Sequence, residues 1–391
     1  MNNAYDVIVI GAGIMGCSSA YQLAKKGLRV AILEKGSIGD GSTGESSAII
    51  RQHYSNPLTA KMAYFSLKIF QNFDEQIGGE SGFTETGVAI LVGEKDSEGL
   101  DANITMQQSV GIRTRLLSAQ DLKQVMPGIS VTEDIAAAYE PEGGYADPYL
   151  TVNSYARAAA KLGVEILRDT MVTDILFEGE KVVGVKTSAL TFSAPKVLNT
   201  TGAWSSQVAR MAGVELPIDA CRVQVAFFRR PDDAETSHPV IADFIHASYF
   251  RAETGNQTLA GLIDPAEANA IVDPNNFNKK NDYDYVLDMG ERLVKRYPII
   301  ERSESTGGYA SLYAITPDWH PIVDEAPAGS GFYICAGFSG HGFKLGPAVG
   351  VMVAGMITAE SDPLFDPALF RLSRFAENDQ VRGQYEYSII G

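Results

Sequence analysis

The segment that says most about the fold of this 391-residue chain is Tyr5-Asp6-Val7-Ile8-Val9-Ile10-Gly11-Ala12-Gly13-Ile14-Met15-Gly16. Its first six residues are mostly β-branched and predict a strand, and its glycines follow with the spacing GxGxxG. Residues 17–26 then predict a helix, and residues 29–33 a second strand that ends in Glu34. This order of strand, glycine-rich turn, helix, strand and acid is typical of a dinucleotide-binding unit.

Each glycine of the turn has its own physical role. Gly11 permits the tight turn, Gly13 lets backbone N–H groups approach a pyrophosphate, and Gly16 lets the helix pack on the strand. The positive end of the helix dipole also favours a pyrophosphate. Glu34 would accept hydrogen bonds from ribose hydroxyls and would repel a 2′-phosphate, which disfavours NADP. The alternative is a structural turn without a ligand, but the register of all three glycines with the acid argues against it.

Composition excludes several classes of protein. The chain has 32 basic and 48 acidic residues, a formal net charge of −16, and such a surface repels the phosphates of nucleic acids. Cys17, Cys221 and Cys335 are too few and too scattered for a disulfide framework, which is typical of a reducing compartment. The N-terminus lacks the basic region of a signal peptide, and no stretch reaches the ~18 apolar residues of a membrane helix. We therefore expect a cytoplasmic protein with no nucleic-acid partner and no membrane span.

Four further segments carry more polar chemistry than packing requires. They are residues 39–54, 196–204, 311–318 and 335–347. The first contains glycines and hydroxyls that can lie along a long cofactor, followed by Arg51 after two isoleucines, a setting in which arginine usually binds a carboxylate or phosphate. The last is a glycine-rich strand-to-helix turn that carries His341 and Lys344. His53 and His320 have no partner at ligand spacing, and no metal site is predicted.

These segments are similar to those of the D-amino-acid-oxidase-like superfamily of FAD-dependent oxidoreductases, and most closely to its sarcosine oxidase and dimethylglycine dehydrogenase branch. The resemblance covers nearly the whole chain. The segments that carry it are residues 7–16, Ile49-Ile50-Arg51 with Tyr54, residues 199–204, Thr316-Pro317-Asp318 and, most specifically, residues 337–344. It implies bound FAD and oxidation of the C–N bond of a secondary or N-methylated α-amino acid. Hydride would pass to flavin N5, and water would hydrolyse the resulting imine.

The resemblance also implies roles for individual residues. Arg51 and Lys344 match positions that hold the substrate carboxylate. His341 is placed to assist amine deprotonation or to bond to the flavin, and Tyr249 matches an aromatic residue over the substrate. A helix expected to begin at residues 344–346 would direct its positive end at the flavin C2 carbonyl. The implied cofactor-binding residues are Gly11, Gly13, Ile14, Met15, Gly16, Glu34, Lys35, Ser42, Thr43, Gly44, Val172, Thr201, Gly202, Trp204, Gly340, His341, Gly342, Phe343 and Lys344.

Each of the four catalytic candidates has a structural alternative. Arg51 can form an ion pair with an acidic residue. Lys344 can be a solvated lysine, although the helix dipole disfavours a cation at a helix start. His341 can cap backbone carbonyls, and Tyr249 can be a core residue of a strand.

Several positions depart from the family pattern. Ser311 stands where monomeric sarcosine oxidases have a flavin-attaching cysteine, and Ser42-Thr43-Gly44 lacks the Trp-His pair of dimethylglycine dehydrogenases, so we expect noncovalent FAD. Ala48 replaces a second arginine near the flavin. The lysine that assists oxygen reduction in monomeric sarcosine oxidases is missing near Leu259. A dehydrogenase that reduces a quinone or a protein is therefore favoured over an oxidase that reduces oxygen, unless Arg251 substitutes for that lysine.

These features predict an α/β (α+β) chain of two interleaved domains with the active site between them. Helical periodicity predicts long helices at residues 58–77 and 345–357. The substrate-binding domain would contain a mixed, mainly antiparallel sheet and comprise residues 81–139 and 216–316. The Rossmann-like FAD-binding domain would be discontinuous and comprise residues 1–80, 140–215 and 317–391.

Three alternatives remain open for the function. The chain can be a D-amino acid or proline-type dehydrogenase of the same superfamily, or a flavin subunit that needs partner chains. It can also be an NAD-dependent dehydrogenase, but that interpretation leaves the glycine-rich turn of residues 337–344 unexplained. A small-molecule amino acid substrate is expected in the first two cases, and the sequence is compatible with a homo-oligomer.

Overall fold

The computed structural model describes residues 3–264, 266, 269–360 and 363–383. Residues 1–2 and 384–391, at the ends of the predicted FAD-binding domain, lie outside this part of the chain. The helices are α1 (Ile14–Lys25), α2 (Pro57–Gln71), α3 (Phe73–Gln76), α4 (Ser97–Ser109), α5 (Ala119–Val125), α6 (Pro148–Lys161), α7 (Ser205–Met211), α8 (Tyr283–Arg296) and α9 (Gly342–Ile357). The strands are β1 (Val7–Ile10), β2 (Val30–Leu33), β3 (Ile49–Ile50), β4 (Thr84–Glu85), β5 (Val88–Val92), β6 (Arg115–Leu117), β7 (Ala136–Glu140), β8 (Gly144–Tyr145), β9 (Glu165–Leu167), β10 (Val172–Glu178), β11 (Lys181–Thr187), β12 (Thr191–Ser193), β13 (Val197–Asn199), β14 (Asp219–Arg229), β15 (Val240–Asp243), β16 (Ser248–Glu253), β17 (Gln257–Leu262), β18 (Glu304–Ile315), β19 (Ile322–Glu325) and β20 (Phe332–Ala336).

The N-terminal strand lies in a six-stranded sheet of order β19-β20-β13-β1-β2-β9. Its strands pair in parallel, apart from the antiparallel pair of β19 and β20. Both β1 and β2 are buried along their whole length, as expected for parallel strands covered on two faces. Helix α1 packs against α6 and α9. The carboxyl ends of β1, β2, β13 and β20 therefore meet at one edge, where α/β proteins bind their ligands.

An eight-stranded sheet of order β18-β14-β17-β16-β15-β5-β7-β6 forms the second large unit. Its pairs are antiparallel except for β15 and β5, which run parallel although they are far apart in the sequence. Helix α8 packs on one face of this sheet, against β14, β16 and β17. The architecture is thus the mixed α/β fold predicted from the sequence, with a mainly antiparallel second sheet.

Short strands connect the two units. Strands β3, β8 and β4 form a small sheet in that order, in which Ile50 of β3 lies opposite Gly144 of β8. A Cβ on Gly144 would lie 2.0 Å from the Thr84 carbonyl oxygen, so this crossing requires glycine. Arg51 follows β3 directly, and this small sheet places it beside residues of the eight-stranded sheet. The domain boundaries proposed above stay a prediction.

The three predicted helices differ from those observed at their ends. The helix predicted at residues 17–26 is α1, which begins at Ile14 and ends at Lys25. The helix predicted at residues 58–77 ends at Gln71, and α3 is a separate short helix, because Asn72 between them has φ −125° and ψ 38°. The Asn72 side chain donates to the Lys68 carbonyl at 3.0 Å, a local bond that competes with helix continuation. The helix predicted at residues 345–357 begins at Gly342 instead. Within the described residues, no helix is long and apolar enough to cross a membrane.

Candidate active site

A long cavity of about 860 Å³ lies between the two large sheets. The residues that follow four adjacent carboxyl ends of the parallel sheet all line it, namely Gly11, Glu34, Thr200 and Gly337. Its volume is within the range of small-molecule and cofactor sites. Of the predicted cofactor-binding residues, the cavity wall contains Gly11, Gly13, Ile14, Met15, Glu34, Lys35, Ser42, Thr43, Val172, Thr201, Gly202, Trp204, Gly340, Gly342 and Phe343.

The glycine-rich turn forms a cradle that side chains would fill. Gly11 has φ +102°, and a Cβ there would lie 3.0 Å from the Thr200 carbonyl oxygen. A Cβ on Gly13 would lie 3.0 Å from Oγ1 of Thr43. That hydroxyl accepts the N–H of Ile14, the first residue of α1, at 3.1 Å. The backbone at the positive end of α1 is therefore open to a ligand only because both positions are glycine.

Glu34 stabilises the same turn from the cavity wall. Its Oε2 accepts the Ala12 N–H at 2.7 Å, and its Oε1 accepts the Gly36 N–H at 2.8 Å. Charge-assisted bonds to backbone N–H groups are the stronger kind of hydrogen bond. The carboxylate predicted to bind ribose thus also fixes the backbone of the glycine-rich turn at Ala12 and the backbone after β2 at Gly36.

Two predicted cofactor-binding glycines do not line the cavity. A Cβ on Gly16 would lie 1.9 Å from the Gly11 carbonyl oxygen, so Gly16 serves the packing of α1 on the turn. A Cβ on Gly44 would lie 2.6 Å from the Gly39 carbonyl oxygen and would also meet the Tyr149 ring. Their effect on a ligand is indirect, through the shape of the backbone.

The sequence analysis missed a loop that closes one side of the cavity. The wall contains Pro274, Asn275, Asn276, Phe277 and Lys279, which belong to a segment rich in Asn, Asp and Pro. Asn275 accepts the indole N–H of Trp204 at 2.8 Å. Lys35 Nζ lies 3.4 Å from the Trp204 ring centroid, and burial lowers its pKa. No pattern in the sequence indicates that Trp204 and Asn275, which are 71 positions apart, lie together in this way.

A second cavity, of about 80 Å³, adjoins the first and contains all four predicted catalytic residues in its wall: Arg51, Tyr249, His341 and Lys344. The two cavities share several wall residues, which mark their junction. These are Ser46, Ser47, Tyr249, Leu262, Tyr313, Ser339, Gly340 and Phe343. The structure thus brings together residues that are up to 293 positions apart in the chain, and it places His341 and Lys344 in the small cavity rather than the long one.

Arg51 is buried, with 8% of its surface exposed. Its guanidinium donates to the His53 carbonyl oxygen, lies over the Tyr54 ring at 4.4 Å, and places Nη2 3.3 Å from Nδ1 of His341. A guanidinium can only donate, so Nδ1 accepts and the neutral His341 ring carries its proton on Nε2. Burial and the Arg51 charge lower the pKa of His53 to about 3, so His53 is neutral as well.

Lys344 is not the solvated lysine of the alternative interpretation. It is buried, and its Nζ donates to the His341 carbonyl oxygen at 3.5 Å. Burial holds its pKa well below the usual value, and the Arg51 charge lowers it further. A protonated Lys344 is repelled by Arg51 in the same cavity unless an anion lies between them. The arrangement is therefore suited to a carboxylate.

Part of the small cavity has an aliphatic wall. Val88 of β5 lies opposite Val240 of β15 in the parallel register, and Ala242 follows on the same face of the strand. Ile49 and Ile263 also belong to this aliphatic wall. A lining that combines charged and aliphatic groups matches a small amphipathic molecule.

Leu259 was compared with the oxygen-activating lysine of monomeric sarcosine oxidases, and that correspondence stays a prediction. Leu259 is buried but does not line either cavity, whereas Leu262 of the same strand lines both. Arg251 lies opposite Leu259 and donates to the carbonyl oxygens of Ser47, at 2.7 Å, and Ala252, at 2.8 Å. It also pairs with Glu253 at 2.8 Å. The cation considered as a substitute is thus already paired with a carboxylate.

A protein-family model described as FAD dependent oxidoreductase (DAO) matches residues 6–356. The chain belongs to this family. FAD is accordingly its cofactor, and the glycine cradle and the cavity volume fit that molecule. The family predicted from the sequence, its cofactor and its fold class are confirmed.

Individual relatives of this FAD-dependent oxidoreductase cover almost the whole chain. It is 28% identical to sarcosine oxidase subunit beta of Rhodobacter capsulatus over 384 residues, which are 96% of this chain and 90% of the relative. Among solved structures it is similar to L-proline dehydrogenase from P. horikoshii, with a TM-score of 0.89, 28% identity and coverage of 98% and 100% of the two chains. It is also similar to glycine oxidase from Geobacillus kaustophilus, with a TM-score of 0.81, 25% identity and coverage of 95% and 99%.

Proposed function

We propose that this protein oxidises the C–N bond of a small secondary or N-methylated α-amino acid to an imine, which water hydrolyses. The observation that carries the proposal is the small cavity, which places Arg51, Lys344, His341 and Tyr249 beside the long cofactor cavity. The similarity to sarcosine oxidase subunit beta, L-proline dehydrogenase and glycine oxidase supports the same class of substrate.

The glycine cradle would hold the pyrophosphate of FAD at the positive end of α1, with Glu34 beside the ribose. Lys35, Val172 and the 201–204 turn would line the rest of the nucleotide. The start of α9 at Gly342 directs N–H groups toward the long cavity, where they favour negative charge on the ring system. When bound, FAD supplies the acceptor for a hydride. We propose noncovalent attachment, since Ser311, which replaces the attaching cysteine, lines the cavity.

Arg51 and Lys344 would bind the substrate carboxylate and so fix the α-carbon at the junction of the two cavities. His341, with its proton on Nε2, would donate a hydrogen bond rather than remove a proton from the amine. The amine must then enter the reaction as the neutral form, which the cationic surroundings favour. Tyr249 lies at the junction and would exclude water from the reacting carbon.

The aliphatic wall limits the substrate. Val88, Val240 and Ala242 offer no hydrogen-bond partner to a second polar group, so a second carboxylate would be desolvated without compensation. An N-methyl group or a small saturated ring matches this wall. A proline-type dehydrogenase is therefore the second candidate, and it is favoured by the L-proline dehydrogenase structure.

Two further proposals concern the acceptor of the electrons from reduced flavin and the association of this chain with partner chains. Leu262 provides no charge at the junction, and Arg251 is paired with Glu253, so we propose a dehydrogenase that transfers electrons to a quinone or a protein. Because one relative is named as a subunit, partner chains of the same kind are a further candidate.

Anaerobic mixing of the holoenzyme with sarcosine or L-proline tests the proposal. We expect bleaching of the oxidised flavin absorbance, and no bleaching with dimethylamine or pyrrolidine, which lack the carboxylate. Equal rates with and without the carboxylate would contradict the roles of Arg51 and Lys344. If bleaching by the amino acids occurred only after partner chains were added, the protein would be a subunit of a larger enzyme.

A further inference from the structure

The carboxylate of Glu140 lies in a completely buried position directly behind Arg51. Glu140 ends β7, has no exposed surface, and lies opposite Val88 of the small cavity in the sheet register. Its Oε2 accepts the backbone N–H of Gln52 at 2.8 Å. Gln52 is the residue after Arg51, so this bond fixes the peptide that carries the arginine.

Two further hydrogen bonds fix the backbone of residues 51–54, and Arg51 itself donates one of them. The guanidinium donates to the carbonyl oxygen of His53, and the carbonyl oxygen of Tyr54 accepts from Gln107 of α4 at 3.1 Å. The direction of the arginine side chain therefore depends on a backbone held between β7 and α4. Removing one of these bonds would let the segment move.

Glu140 also differs from the other deeply buried carboxylates. Asp243 pairs with Arg296 at 2.7 Å and Asp318 pairs with Arg374 at 2.8 Å, whereas among the described residues Glu140 forms no such ion pair. Its Oε1 has no hydrogen-bond partner in the described protein. A buried carboxylate held by one backbone N–H is costly, and such a group is retained where its charge has a use.

The nearby charges indicate that use. Burial raises the pKa of Glu140 to about 7, although the hydrogen bond from the Gln52 N–H and the charge of Arg51 both act to lower it. Tyr54 is the other titratable group that interacts with it, since Glu140 raises the pKa of that phenol. Arg51 and the protonated form of Lys344 carry positive charge in the adjoining cavity, and Glu140 is the nearby buried group that can carry a compensating negative charge.

We propose that Glu140 is a positioning residue for Arg51: it fixes the Gln52 peptide, and its charge balances Arg51 and Lys344 until the substrate carboxylate replaces it. This inference rests on the proposed function, because it requires a carboxylate in the small cavity. Above neutral pH, Glu140 is ionised and competes electrostatically with the incoming carboxylate. Below neutral pH, it is protonated and does not compete.

The test measures binding of methoxyacetate, in which an oxygen replaces the reactive amine, by the change in flavin absorbance of the holoenzyme. In Glu140→Gln the carbonyl oxygen of the amide still accepts the Gln52 N–H, but the charge is lost. We expect equal dissociation constants for wild type and variant at pH 6, and about tenfold tighter binding by the variant at pH 8.5. Repeating the same comparison in a Lys344→Met background removes any contribution of Lys344 from the ratio.

Two further variants separate position from charge. Glu140→Leu removes the acceptor as well, and we expect at least about tenfold weaker binding than Glu140→Gln at both pH values, with kcat changed less than KM. Glu142→Gln is the matched control, because Glu142 pairs with Lys68 and Arg113 and not with Arg51 or Lys344. Its dissociation constant for methoxyacetate should equal that of the wild type at both pH values.

The outcomes separate this inference from the proposed function. If no amino acid bleached the wild-type flavin, the proposed function would fail. If bleaching occurred but the Glu140→Gln to wild-type ratio stayed constant between pH 6 and 8.5, or if Glu142→Gln gave the same shift, the role of Glu140 would be refuted. If Glu140→Gln does not retain FAD, the Lys344→Met variant provides the test. Its affinity for methoxyacetate must weaken between pH 6 and 8.5, as Glu140 ionises. An affinity that does not change with pH would refute the proposal.

Discussion

Replacing Lys344 with methionine should increase the stability of the folded protein and lower its catalytic efficiency, kcat/KM. The lysine is buried, makes a single long hydrogen bond of 3.5 Å, and lies in the same cavity as Arg51. Methionine has a similar length and no charge, so it removes both the burial penalty and the repulsion from Arg51. Exchange of buried charges for apolar groups stabilises proteins by about 1–4 kcal/mol. We expect a gain in this range for the apoprotein.

The pH dependence provides an internal check of this stabilisation. Since burial lowers the pKa of Lys344 in the folded protein, the unfolded chain binds more protons between that lowered value and the unfolded value of about 10.4. The free energy of unfolding of the wild type should therefore rise with pH across this window. Below the lowered pKa, the cost of burying the charged lysine should be fully present. Lys344→Met should lack this rise, so the two melting temperatures should converge toward pH 10.

The catalytic effect has the opposite sign. Loss of one cation from a desolvated carboxylate site costs about 2–4 kcal/mol, or roughly thirty- to a thousandfold in kcat/KM. The assays are thermal unfolding of the apoprotein from pH 6 to 10 and anaerobic flavin reduction by the substrate. Lys68→Met, at a half-exposed ion pair with Glu142, is the matched control and should change neither quantity much. A Lys344→Met protein that is less stable than wild type, or that keeps full kcat/KM, would refute the reasoning.

Three other predictions concern the cofactor and the electron acceptor. Acid precipitation should release all flavin into the supernatant, and yellow colour in the pellet would show a covalent bond. Glu34→Gln should weaken FAD retention, measured by fluorescence of released flavin, because it loses charge-assisted bonds worth ~1.5–3 kcal/mol; unchanged retention would contradict the role of Glu34. Leu262→Lys should speed reoxidation of the reduced enzyme by oxygen in stopped-flow, since it adds a cation at the junction. Leu262→Met is its neutral control, and wild-type reoxidation faster than reduction by substrate would identify an oxidase.

The nucleotide-binding half could be predicted from the sequence because its signals are local. Gly11, Gly13 and Glu34 lie in one strand-turn-helix-strand unit, and their spacing alone determines their relative positions. Lys344 and His341 lie in the glycine-rich segment after β20, and their roles were predicted from the resemblance of that segment to the family. Even here the start of α9 was placed too late, because glycines at a helix start do not differ in sequence from a loop.

The remainder of the site depends on contacts between distant parts of the chain. Val88 and Val240 meet through a parallel pair of strands, and no periodicity reports which strands will pair. Leu262, the last residue of β17, lines the cavities and Leu259 does not, a difference that a residue-by-residue comparison with a family cannot resolve. Glu140 was not among the predicted site residues, because its burial and its bond to Gln52 appear only once β3 and β7 are placed together.

The parallel pair of β5 and β15 has a consequence for how this enzyme can diversify. The aliphatic wall of the small cavity belongs to the eight-stranded sheet, whereas the glycine cradle, Glu34 and the start of α9 belong to the other unit. Val88, Val240 and Ala242 line the small cavity but not the long one. Under the proposed function, we expect substitutions at these three positions to change which molecules are accepted, at little risk to cofactor binding.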